Sequence, residues 1–224
     1  MTGQSDSGRI GLFGGCFDPI HSGHLAAAED VLEALGLDRV VFVPTGVPPH
    51  KTDGTHAPAA DRLAMARLAV EGRPRLAVSD VETRREGISY TVDTLRELRR
   101  ELGEGVRLLL MIGTDAVRIL PTWREVSEVF RLAEPVVIAR PGDAAFDPSD
   151  FAEMFPEALA SRLAGSLVHL KRGIEVSSTD IRSRIGGGEP PLALAGGLLP
   201  LAVARYIHER GLYRARTLGG RSGA

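Results

Sequence analysis

The chain has 224 residues, enough for one α/β domain or one domain with an appended subdomain. Hydrophobic residues make up 43%, an ordinary content for a protein with a substantial core, and the net charge of -2 argues against a general nucleic-acid or anionic-membrane surface. One cysteine, Cys16, excludes an intrachain disulfide and fits a reducing compartment. The start, Met1 to Gly8, is polar, and no apolar run approaches the ~20 residues needed to span a bilayer, so a cytoplasmic protein with no membrane partner is expected.

In chain order, residues 1–8 read as a disordered leader. Arg9 to Phe13 reads as a short buried strand. It runs into Gly14-Gly15-Cys16-Phe17-Asp18-Pro19-Ile20-His21-Ser22-Gly23-His24 and then a helix over Leu25–Leu35, with Ser22 as its cap and Gly36 as its stop. Gly14 and Gly15 are expected to supply backbone conformations closed to other residues and to let a ligand approach closely. Strand, glycine turn and helix together direct backbone N–H groups at a phosphate.

Arg39 to Val43 is β-branched and apolar and makes the second strand, so the first unit is a βαβ crossover of a parallel sheet. A Gly- and Pro-rich loop over Pro44–Pro58 follows. A helix over Ala59–Val70 is expected to bury Leu63, Ala66 and Val70. Leu76–Val78 is a third strand. Thr91 is expected to cap a helix through Leu102 with Val92, Leu95 and Leu98 as its apolar stripe. Val106–Ile112, the most hydrophobic stretch, is expected at the sheet centre, and Gly113-Thr114-Asp115-Ala116 opens another helix.

A helix over Arg124–Leu132, a strand over Pro135–Ala139, a helix over Asp150–Leu163 and a strand over Ser166–Leu170 come next. Val176 is read as the end of a further strand. Ser178 or Thr179 caps a helix ending at Gly186, and Leu201–Arg210 is the last helix. Residues 214–224 read as a flexible tail, and 9–213 as a single domain. The alternation predicts an α/β fold with a doubly wound parallel sheet, in which ligands lie beyond the carboxyl ends of the strands. The stretches with chemistry-bearing residues all fall at those ends.

His21 and His24, three apart at a helix start, can face one bound group. Taken alone they are a metal pair, ordinary histidines, or ligands of a phosphate; a zinc site would need further ligands that the pair does not supply. A helix N-terminus disfavours an imidazolium, so His24 is expected to act mainly as a neutral N–H donor. Asp18-Pro19 is a turn pair that needs no function, or one that shapes the phosphate loop. Trp123 follows the central strand on a loop beside polar Arg124, a place that favours a ligand platform over the core.

The stretch GGCFDPIHSGHL resembles the signature of the adenylyltransferases that join ATP to nicotinate or nicotinamide mononucleotide. Pro48-Pro49-His50-Lys51 is similar to that family's PPHK loop, Ser89-Tyr90-Thr91-Val92-Asp93-Thr94 to its SYTxDT stretch, Gly113-Thr114-Asp115 to its GxD, and Val176-Ser177-Ser178-Thr179-Asp180-Ile181-Arg182 to ISSTxIR. Tyr206-Ile207 and Gly211-Leu212-Tyr213 match its closing YIxxxGLY and are read as packing. The resemblance spans Arg9 to Tyr213. It implies a Rossmann-like sheet with a small C-terminal helical portion, and adenylyl transfer from ATP to nicotinate mononucleotide, giving deamido-NAD and pyrophosphate with Mg²⁺ carried by the ATP phosphates.

It also implies the roles. His21, His24, Lys51 and Arg182 stabilise charge in catalysis. Gly14, Gly15, Cys16, Phe17, His21, Gly23, His24, Gly113, Asp115, Ser178, Thr179 and Arg182 hold ATP. Gly15, Lys51, Tyr90, Thr91, Val92, Trp123 and Arg124 hold the mononucleotide, with Trp123 stacked on the pyridine and N–H groups at Thr91, Val92 and Arg124 on its carboxylate. Cys16 stands where the family usually has a hydroxyl residue and is expected to be a tolerated substitution. A nicotinamide-mononucleotide or pantetheine-phosphate enzyme, and a nucleotide-binding regulatory module without catalysis, stay open as alternatives, as does a homo-oligomer.

Overall fold

The computed structural model describes residues 8–49, 56–139, 150–172 and 174–215. Lys51 and His50, with most of the leader and the tail, lie outside the described residues.

Six strands form one parallel sheet: β1 (Arg9–Gly15), β2 (Arg39–Pro44), β3 (Leu76–Val78), β4 (Arg107–Gly113), β5 (Glu134–Ala139) and β6 (Leu167–His169). Their spatial order is β3-β2-β1-β4-β5-β6, and every neighbouring pair is parallel. The chain winds outward from β1 to one edge, then returns to β4 and winds to the other. The order reverses between β1 and β4, which opens a crevice at their carboxyl ends.

The helices lie on both faces because the strands bury both. In β4, Leu109 and Met111 join one core and Leu108, Leu110 and Ile112 join the other, the period of two that a pleated strand imposes. The first core is covered by α1 (Ser22–Leu35), α2 (Ala59–Val70), α8 (Ser178–Gly186) and α9 (Leu201–Arg210). The second is covered by α3 (Thr91–Leu102), α5 (Val126–Leu132) and α7 (Glu157–Ala164), with the short α4 (Thr114–Val117) and α6 (Asp150–Met154) at its ends. Among the described residues no helix is long and apolar enough to cross a membrane.

Several expectations need correction. The helix expected over Asp150–Leu163 is two helices, α6 and α7, because Pro156 cannot continue one and instead starts the next at φ -55, ψ 145. The helix expected from Arg124 begins at Val126, after Glu125 at φ 51. No strand ends at Val176: residues 174–177 run without ladder partners between β6 and α8. The buried face of α2 is Asp61, Arg62, Met65, Ala66 and Ala69, and Leu63 and Val70 are half-buried.

The helix N-caps fall earlier than expected: His21 in place of Ser22, Tyr90 in place of Thr91, and Ser177 in place of Ser178 or Thr179. At α8 the reason is visible. Ser177 Oγ accepts from the Asp180 N–H at 3.0 Å, which frees the Ser178 hydroxyl to donate to the Pro19 carbonyl at 2.9 Å.

Candidate active site

A cavity of about 840 Å³ opens at the carboxyl ends of β1 and β4. That size is within the usual range of small-ligand sites. The sequence-predicted residues Gly14, Gly15, Cys16, Phe17, His21, Gly23 and His24 line it from the β1–α1 turn, Gly113 and Asp115 from the end of β4, and Ser178 and Arg182 from α8. Tyr90, Thr91, Trp123 and Arg124 line its other side. Thr179 and Val92 do not line it: the Thr179 hydroxyl accepts from Arg182 Nη2 at 3.2 Å, and the Val92 side chain is wholly buried in the second core.

The glycine turn is built differently from the expectation. Gly14 and Gly15 continue β1, and neither has a positive φ. The left-handed conformation falls instead on Phe17, at φ 48. The glycines matter for space. A Cβ on Gly14 would meet no protein atom within 4 Å, so its absence leaves cavity volume to a ligand, and a Cβ on Gly15 would press on the Phe17 ring at 3.1 Å. At Gly23 a Cβ would come within 2.9 Å of Val176 and 3.2 Å of the His21 ring.

His21 and His24 stack with ring centroids 3.6 Å apart. His24 Nδ1 accepts the His21 backbone N–H at 3.2 Å, the part that Glu or Gln plays in a capping box. An accepting Nδ1 carries no proton, so the neutral His24 ring has its N–H at Nε2. Charging it would remove that acceptor and set a cation at the positive end of a helix dipole. Phe13 and Phe17 meet the His24 ring edge-on at 5.9 and 5.0 Å and fix its plane.

The turn is tied to distant segments. Asp18 is 2% exposed, and its carboxylate accepts from the His56 and Ala57 N–H groups at 2.7 and 3.1 Å and from the Tyr213 hydroxyl at 2.8 Å. Asp18 thus ties the turn to the residues before α2 and to the end of the chain. Tyr213, expected only to pack, closes a contact across nearly the whole chain. Burial, with the Asp18 carboxylate beside it, pushes its phenol far above the usual range. Arg182 Nη1 donates to the Asp18 carbonyl at 2.8 Å, and its buried Nε has no hydrogen-bond partner among the described residues.

On the other side, Tyr90 precedes α3, and the first N–H groups bonded within the helix are those of Asp93 and Thr94, both to the Tyr90 carbonyl. The Thr91 and Val92 N–H groups therefore stand at the helix mouth. Trp123 is half-buried on the cavity wall, and the Arg124 guanidinium lies over the Tyr90 ring at 4.9 Å. Ser89 is structural: its N–H donates to the Val47 carbonyl at 2.9 Å and its hydroxyl accepts from the Val47 N–H at 3.3 Å, which joins this loop to the segment after β2.

Sequence reasoning missed three residues. Glu82 lines the cavity, is almost fully buried, and accepts from the Thr94 hydroxyl at 2.7 Å. Burial raises its carboxyl against the opposing effects of Thr94, Arg85, Ser89 and Gly46. Arg172 also lines the cavity. It is held by buried Asp30 on α1, which accepts from its N–H at 2.8 Å, from its Nη1 at 3.1 Å, and from the Lys171 N–H at 2.7 Å. Arg62 lies behind the cavity wall without solvent exposure. A signal for Arg62 and Asp30 existed in the helical period, since each falls on the apolar stripe of its helix.

The chain matches the family model described as cytidylyltransferase-like over residues 12–184. A curated relative from Roseiflexus sp., named a probable nicotinate-nucleotide adenylyltransferase, is 47% identical over 208 residues, 93% of this chain and 99% of the relative. One of the same name from Dehalococcoides mccartyi is 43% identical over 92% of this chain and 97% of its own length. Among solved structures, the nicotinic acid mononucleotide adenylyltransferase of Plasmodium falciparum complexed with NaAD superimposes with a TM-score of 0.70 at 17% identity, over 92% of this chain and 97% of that one, a likeness of fold. Sequence, fold and family model agree: the chain belongs to the nicotinate-nucleotide adenylyltransferase family, a group of nucleotidyltransferases among the cytidylyltransferase-like proteins.

Proposed function

We propose that the chain transfers the adenylyl group of ATP to nicotinate mononucleotide, giving deamido-NAD and pyrophosphate. The observation that carries this reading is one cavity with two unlike halves. Stacked histidines, a glycine turn and Arg182 line one half, and a helix mouth beside an aromatic platform lines the other. The relatives' names point the same way.

The mononucleotide phosphate is ionised at neutral pH and attacks the α-phosphorus in line, with pyrophosphate leaving, so no general base is required. The work of the site is positioning and charge stabilisation. His24 Nε2–H, His21 and Arg182 donate to phosphoryl oxygens, joined by N–H groups of the Gly15–Phe17 turn. The start of α8 at Ser178 faces the triphosphate, with Thr179 behind it on Arg182, and Lys51 adds a point charge. Asp115 receives ribose hydroxyls. Mg²⁺ takes oxygen ligands and keeps several waters, so triphosphate oxygens suffice to carry it, and it would neutralise charge on them. The pyridine stacks on Trp123, and its carboxylate takes the Thr91, Val92 and Arg124 N–H groups, a donor set that favours an anion over a neutral carboxamide.

The test is pyrophosphate release with ATP and Mg²⁺ on nicotinate mononucleotide, nicotinamide mononucleotide and phosphopantetheine in turn. The expected result is a strong preference for the first. A preference for the amide would overturn the carboxylate pocket, turnover of phosphopantetheine alone would overturn the second substrate, and no release with any of them would leave a binding module.

A further inference from the structure

Arg62 carries a charge in a place with no access to water. Its three nitrogens reach three carbonyls from three separate segments: Nε to Ala57 at 3.2 Å, Nη1 to Cys16 at 2.7 Å and Nη2 to Gly46 at 3.0 Å. Only a planar fork of donors can do this, since a lysine brings one nitrogen. A guanidinium is costly to bury, and aliphatic packing would serve α2 as well. Its neighbours explain its presence better than the core does.

Cys16 and Phe17 line the cavity, and Arg62 stands behind them. A trans peptide points its C=O and its N–H to opposite sides. With the Cys16 carbonyl fixed on Arg62, the Phe17 N–H is turned away from the guanidinium, to the side of the cavity. Phe17 is at φ 48, a conformation that residues with side chains rarely adopt and that the surroundings must hold. Asp18, the next residue, is held by the Tyr213 hydroxyl and by the Ala57 N–H, and the Ala57 carbonyl is in turn bonded to Arg62, so the same side chain braces both ends of the turn.

We propose that Arg62 is a positioning residue for adenylyl transfer: it holds the Cys16–Phe17 peptide so that the Phe17 N–H faces the phosphates of the nucleotide. This rests on the adenylyltransferase reading for its kinetic consequence, though not for its binding consequence.

Two measurements test it. In the ¹⁵N-labelled unaltered chain, the Phe17 amide resonance should shift on addition of inorganic pyrophosphate. For R62K and R62Q, ATP affinity by calorimetry, kcat and KM with ATP and nicotinate mononucleotide, and thermal melting are measured on the same preparations. R62K keeps the charge and loses the fork, so kcat should fall about tenfold, and R62Q about 100-fold, with weaker ATP binding and KM for the mononucleotide within about twofold of the unaltered chain. A purely structural role would lower the melting temperature and leave kcat and ATP affinity of the folded protein unchanged; that result overturns the proposal. So does a Phe17 amide that ignores pyrophosphate, a readout that decides even where R62Q fails to fold. If the unaltered chain releases no pyrophosphate with the mononucleotide, the function reading fails separately, and Arg62 is judged on ATP affinity and the Phe17 resonance.

Discussion

The two halves of the cavity are held by different means. The β1–α1 turn is fixed by contacts from far along the chain: Arg62 on the Cys16 carbonyl, Arg182 on that of Asp18, Ser178 on that of Pro19, and Tyr213 on the Asp18 carboxylate. In the segment from Gly113 to Arg124, Val117 and Leu120 are buried in the second core and Arg124 reaches Tyr90 and Asp93, while the surface stretch between leans on close neighbours. The helix α4 has four residues, Thr122 bonds back to Ile119, Trp123 bonds back to Leu120, and Ile119 is 41% exposed. The first half is preorganised, as donors aimed at a developing charge have to be. On the proposed reading, the second is a surface that a ring and a ribose would settle onto. Changes in the first half should therefore appear in kcat, and changes in the second in KM for the mononucleotide.

The largest effect should come from His24→Ala. Loss of one preorganised donor at a phosphoryl group typically costs about 10²–10³ in kcat. The variant also loses the acceptor for the His21 N–H, at about 1 kcal/mol of stability. Steady-state kinetics beside a denaturant titration separate the two losses. If KM rose and kcat held, His24 would be a binding group only, and the contrast between the halves would break.

Trp123→Ala should raise KM for nicotinate mononucleotide about tenfold, the worth of an aromatic stacking contact, with kcat within about twofold. The same variant should leave KM for ATP unchanged, because Trp123 lies on the half away from the histidines. An equal loss in kcat would mean that the pyridine side is as preorganised as the phosphate side.

Glu82 lines the cavity beside Thr94 of α3, and its effect should be on stability. Burial holds its carboxyl above the usual value of 4.5, so between 4.5 and the raised native value the folded chain keeps a proton that the unfolded chain has released. Stability then falls as pH rises through that interval and levels off above it. Glu82→Gln cannot titrate, so its stability relative to the unaltered chain should rise across the same interval. Urea midpoints at a series of pH values measure the difference, and a flat difference would mean that Thr94, Arg85, Ser89 and Gly46 together compensate the burial.

The contrast between the halves also explains what the sequence made legible. Strands and helices could be read because their causes are local: the β-branched run of β2, the period-two alternation of β4, the stripe Val92, Leu95, Leu98 on α3. The residues of the site fell within short strings, so the segments were found together. The grip on the turn was not legible, because its partners are far away in sequence. Arg62 reads as one charge on a helix, and only the fold brings the carbonyls of Cys16, Gly46 and Ala57 to it. The cap of α8 is Ser177 rather than the expected Ser178 or Thr179, because any of the three hydroxyls can cap and the choice depends on the Pro19 carbonyl that Ser178 reaches.

The smallest effect should be that of Cys16→Thr, and it separates backbone from side chain within the rigid half. The Cys16 carbonyl is bound to Arg62, and its residue lines the cavity half-buried. On the proposed reading the turn works through its main chain, since Gly14 and Gly15 have no side chains to offer and the Cys16 carbonyl is bonded to Arg62. A thiol is a weak donor, so whatever it gives a phosphate is small beside the N–H groups. Threonine is of similar size and has a better donor, so kcat and both KM values should stay within about twofold, and a small gain in ATP affinity is the direction that a new hydroxyl contact would take. A loss of tenfold or more would place function on the sulfur itself, and the account of this turn as a backbone device held by Arg62 and Asp18 would have to give way.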